Sequence, residues 1–86
     1  MTTLMITHDV DDVAHWLKSP RRDQVFGPLG MTARTFVDAE RSNRVGLVVE
    51  VPDIATFQRA LAMPEAAAAM KHDGVHPETI HIMVQS

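Results

Sequence analysis

Five histidines, no cysteine and no tyrosine set the side-chain chemistry open to this chain of 86 residues. Thiolate nucleophiles, disulfides and cysteine-bound metals are excluded. What remains is proton transfer, because imidazole titrates near pH 6.5 and can take or give a proton at neutral pH. His8 alternates with Leu4 and Ile6, which puts it on the apolar face of a strand. There it is either a general base or an imidazole bonded to a backbone carbonyl. His72 stands beside Asp73. The two could form an oriented imidazole–carboxylate pair, or His72 could be a cation favoured at a helix C-terminus. Arg34 alternates with Phe36. Its planar fork suits a carboxylate or enolate, although a charge on an edge strand also serves to discourage aggregation.

The catalytic candidates are therefore His8, His72, Arg34 and Asp73. Trp16, Phe36, Met70 and His81 are the candidates for binding a substrate. Core packing is the competing role for the aromatics and the methionine. His15 and His76 are expected to be exposed, and Arg21-Arg22 reads as a solvated helix face. Metal binding by His8, His72, Asp73 and His76 lacks support from spacing: His72 and His76 are four apart, but Asp73-Gly74 breaks the helix between them. No metal and no cofactor is expected. The chain has no dinucleotide fingerprint, phosphate loop or nucleophile elbow.

The elements that must position these groups follow from periodicity. A strand over 4–8 is ended by Asp9, Asp11 and Asp12; Asp11 is a plausible cap for a helix over 11–18, with Val13, Trp16 and Leu17 as its buried stripe. Ser19-Pro20 opens a second short helix to about Phe26, and Gly27-Pro28-Leu29-Gly30 breaks it. Strands over Thr32–Val37 and Arg44–Val51 flank a polar hairpin loop. Asp53 caps a helix with Ile54, Phe57, Ala60 and Leu61 on its inner side; Met63-Pro64 interrupts it, and Gly74 suits a left-handed C-terminal position. A last strand is expected over 79–84.

Composition bounds the setting. Eight Lys+Arg against eleven Asp+Glu give a formal charge of −3, the wrong sign for general nucleic-acid binding. No stretch approaches the roughly 20 apolar residues of a membrane span. The first residues lack the basic start of a secretory signal. With the absence of cysteine, the expectation is a cytoplasmic protein.

The order β-α-β-β-α-β implies one α+β, ferredoxin-like domain over 1–86: a four-stranded antiparallel sheet, spatial order 4-1-3-2, with its helices on one face. The other face still carries apolar side chains, where an open sheet in water would be polar. A second copy related by a two-fold axis would cover it, so a homodimer is expected. Following chain direction brings all five histidines to or near one end of the domain and leaves Glu50 at the other.

The whole pattern resembles the dimeric α/β-barrel superfamily. The features that carry the resemblance are the first helix broken at Ser19-Pro20, the hairpin strand Arg44–Val51, the Pro52, Asp53, Phe57 start of the second helical unit, and the small-residue segment 64–70. The resemblance implies membership among cofactor-independent monooxygenases, cyclases, isomerases, dehalogenating and haem-degrading enzymes, or stress-responsive proteins, and fold alone does not choose among these. The expected function is a small cofactor-independent enzyme that acts on an apolar or aromatic metabolite by histidine-assisted proton transfer. The alternative is a non-catalytic dimeric module that binds a small molecule or a metal.

Overall fold

The computed structural model describes residues 1–86. Its elements in chain order are β1 (Thr2–Asp9), α1 (Val13–Lys18), α2 (Arg21–Phe26), β2 (Thr32–Val37), β3 (Arg44–Val51), α3 (Ile54–Leu61), α4 (Pro64–Asp73) and β4 (His81–Val84). Short 3-10 turns at Gly27–Leu29 and Pro77–Thr79 lead into β2 and β4. The sheet is antiparallel with order β2-β3-β1-β4, the ferredoxin-like arrangement that element order implies.

Register decides which residues share a face. Leu4 pairs with Val49, Ile6 with Leu47 and His8 with Val45. Because side chains alternate, these six point to one side and meet the helices. There they join Val51, Trp16, Phe26, Phe57 and Ala60 in the core. Thr3, Met5, Thr7, Gly46, Val48 and Glu50 point to the other side, together with Arg34, Phe36, His81 and Met83. That open face keeps Met5, Phe36 and Met83 about half exposed. It is the partly apolar second face that the sequence implies. No helix is long and apolar enough to cross a membrane.

Local chemistry shifts several boundaries. The cap of α1 is Asp12 rather than Asp11: its Oδ1 accepts from the His15 amide at 3.1 Å. Asp11 is occupied elsewhere, its amide donating to the Gly74 carbonyl and its carboxylate accepting from His76 Nε2. β4 starts at His81 and not at residue 79. Pro77 opens the 3-10 turn, and the amides of Thr79 and Ile80 turn back to the carbonyls of His76 and Pro77. In the helices, Trp16 is buried but Leu17 and Ile54 are exposed, so the inner stripes of α1 and α3 are narrower than periodicity suggests. Asp53 caps α3 through the Thr56 amide at 2.7 Å, and Gly74 ends α4 at φ 72°, both as expected.

Candidate functional site

Trp16 is the centre of the site. It is 1% exposed, the one fully buried residue of a six-residue helix. The His8 ring approaches it edge-on, with centroids 5.6 Å apart at 78°. The Arg22 guanidinium lies over it, 4.3 Å from the ring centroid, and Nη1 donates to the Trp16 carbonyl at 3.2 Å. Such stacking is favourable because the aromatic face is electron-rich, by about 1–2 kcal/mol when partly desolvated. Arg22 reaches this place because Ser19-Pro20 breaks the helix. The next piece folds back against the first, stapled by the Arg21 amide donating to Ser19 Oγ.

His8, Trp16, Arg22, Met70 and Asp73 line one cavity between the helices and the sheet, of about 80 Å³. That volume holds roughly half a dozen water-sized bodies. Of its 16 lining residues 13 are hydrophobic, so its few polar groups are concentrated at His8, Arg22 and Asp73. His8 and Asp73 are each only 3% exposed.

Electrostatics give these groups different states. Burial is the main cause holding His8 below the ordinary imidazole value of 6.5, and the nearby Arg22 and His76 charges act in the same direction. A bond to the Asp9 carbonyl and the Asp9 carboxylate oppose this without reversing it. His8 is thus a neutral base at pH 7. Its Nδ1 lies 3.4 Å from the Asp9 carbonyl oxygen. A proton assigned to Nδ1 and donated there leaves the Nε2 lone pair available. Burial also lowers Arg22, and the Asp73 charge resists that. Asp73 Oδ1 accepts from His72 Nδ1 at 2.9 Å. No buried side-chain polar atom lacks a partner.

The expected site residues divide by sheet face. His8, Trp16, Met70 and Asp73 come together at the cavity. His72 stands next to them but outside the lining, partly exposed and bonded to Asp73. Arg34, Phe36 and His81 do not join them: all three lie on the open face, because their strand registers turn them away from the helices. The Arg34 side chain is 70% exposed and 3.9 Å from Glu50, and Phe36 is 52% exposed. Arg22 is the residue that sequence reasoning missed. Arg21 is exposed, as a solvated helix face requires, but Arg22 is partly buried against Trp16. The usable signal was the proline break itself, which returns the chain to the lone tryptophan.

The grouping of histidines also departs from expectation. His15, His72 and Asp73 offer ligand atoms within 4.8 Å of one another, on α1 and the last turn of α4. His8 and His76 are not in that group.

No protein-family profile matches the sequence, and no curated protein does. Solved structures do match over the whole length. An antibiotic biosynthesis monooxygenase superposes with TM-score 0.66 at 12% identity, covering 100% of this chain and 97% of the other. A proposed antibiotic biosynthesis monooxygenase of Deinococcus radiodurans gives 0.57 at 14%, covering 100% and 91%. A nipsnap family protein of unknown function from Agrobacterium tumefaciens gives 0.66 at 12%, covering 99% and 86%. The chain has the α+β ferredoxin-like fold of these proteins.

Proposed function

We propose that this chain is a small enzyme that holds an apolar or aromatic metabolite in the Trp16 cavity and moves a proton with His8, without a resident cofactor. The observation that carries the reading is the pairing of a buried, neutral imidazole with a partly buried guanidinium in one apolar cavity. His8 Nε2 takes a proton from a carbon acidified by an adjacent carbonyl, which leaves an enolate and an imidazolium. Arg22 supplies the positive charge beside that enolate in a water-poor setting, where such stabilisation is strongest. Asp73 holds Arg22 charged, and return of the proton to a different atom completes an isomerisation, cyclisation or elimination. Arg22 takes the part that sequence reasoning assigned to Arg34, because Arg34 faces away from the cavity.

The test is a screen of small enolisable and aromatic compounds by thermal shift, followed by deuterium wash-in from D2O monitored by NMR. The native chain is expected to exchange the acidic C–H, and His8→Gln to slow exchange by about 100-fold or more. A ligand that raises the melting temperature of both forms equally, with no exchange in either, would establish the binding-module reading instead.

The same reading includes a homodimer. Met5, Phe36, Val48 and Met83 form an apolar band on the open face, with Gly46 leaving room for close approach. A chain this short buries little core, and a second copy of the same face is the economical cover.

A further inference from the structure

We infer that His15, His72 and Asp73 form a binding site for one divalent transition-metal ion that clips α1 to the C-terminal turn of α4. The inference meets the proton-transfer reading only at Asp73, which lines the cavity; His8 contributes no ligand. The three residues come from two helices that meet edge to edge. His15 Nε2 donates to the His72 carbonyl at 2.8 Å, the two imidazole centroids are 5.2 Å apart, and His72 Nδ1 reaches Asp73 Oδ1 at 2.9 Å. One ligand atom from each residue falls within 4.8 Å of the others. Donors around a four-coordinate ion sit about 3.3–3.6 Å apart, given bonds of about 2.0–2.2 Å. The two exposed imidazoles therefore need only rotamer adjustments to close on an ion.

The chemistry of the donor set selects the class of ion. Two imidazoles and one carboxylate suit zinc, copper, nickel or cobalt rather than calcium or magnesium, which prefer oxygen. Three protein ligands leave a coordination position for water. Asp73 is the fixed member: it is buried and, with Arg22, lines the cavity. The C-terminal end of α4 adds partial negative charge beside the ion. His72 and Asp73 are consecutive, so the ion would also hold Asp73, which lines the cavity.

The experiment uses the untagged full-length chain, treated with chelator and then titrated with Zn2+ by calorimetry and by thermal shift. One ion per chain is expected, with a rise in melting temperature on the order of 10 °C at 100-fold excess over the dissociation constant. His15→Gln and His72→Gln should each weaken binding at least 10-fold. Both positions are exposed, so these variants keep the fold. His76→Gln should leave the affinity unchanged, since His76 pairs with Asp11 outside the group. Co2+ should give the visible absorption of a four-coordinate site, and lose it in His15→Gln. No saturable uptake, unchanged affinity in either the His15 or the His72 variant, or loss of binding in His76→Gln would each overturn the site.

Discussion

At the scale of single residues, the site is a stack: His8 edge-on to Trp16, and Arg22 on the indole face. His8 carries a pH dependence whose sign follows from its lowered value. The unfolded chain takes up a proton at His8 near pH 6.5, while the folded chain resists until the pH is lower. Stability contributed by neutral His8 is therefore complete above 6.5 and falls as acid is added through the interval below it. Urea midpoints measured at pH 7.5 and pH 5 should show a larger acid loss in the native chain than in His8→Gln. If the two fall equally, His8 is not buried as neutral imidazole. The same group predicts the rate profile: proton transfer should rise with pH through a value below 6.5. Arg22→Met removes the cation from Trp16 and a donor from the Trp16 carbonyl, at an expected cost of about 1–3 kcal/mol in urea unfolding.

At the scale of elements, two glycines allow a controlled comparison. Gly30 and Gly74 both end helical segments at φ 72°. A side chain at Gly30 would meet open space, whereas one at Gly74 would stand 3.1 Å from the Asp11 side chain. Gly30→Ala should cost only the backbone strain of about 1–2 kcal/mol. Gly74→Ala should cost more, because Asp11 must move as well, and denaturant midpoints compare the two directly. Asp11 also receives His76, joining the turn after β1 to the turn before β4. That hydrogen bond is the main cause raising His76 above 6.5. Its linkage runs opposite to that of His8: the stabilisation is complete below 6.5 and is lost as pH rises through the higher folded value. His76→Gln should therefore narrow the stability difference to the native chain as pH rises above neutrality.

At the scale of the whole molecule, the open sheet face is the surface that the proposed dimer would bury. Phe36 stands on the edge strand β2 of that face, is 52% exposed and makes no contribution to the monomer core. Light scattering of the native chain at micromolar concentration should give twice its 9.5 kDa mass. Phe36→Glu should give 9.5 kDa with the helical content unchanged, because a charge set into an apolar contact is left unpaired. A native chain of monomer mass would refute the dimer without touching the His8 reading.

By itself the sequence determined the element order, the two strands of the hairpin to the residue, the Asp53 cap, the Gly74 stop and the presence of an apolar second sheet face. Those features are local: they rest on alternation, helical spacing and the conformational limits of proline, glycine and aspartate, all of which act within a few residues. It also placed His8 on an inward face, because Leu4 and Ile6 share its parity. Tertiary structure alone decided that Arg34, Phe36 and His81 face away from the cavity, since parity on one strand says nothing of which side the helices choose until register links the strands. It alone brought Arg22 onto Trp16 and His15 beside His72, contacts between helices set by the angle of a proline break and by packing at a distance of 57 residues along the chain. Periodicity names which residues turn inward; only the packed helices say which of them meet.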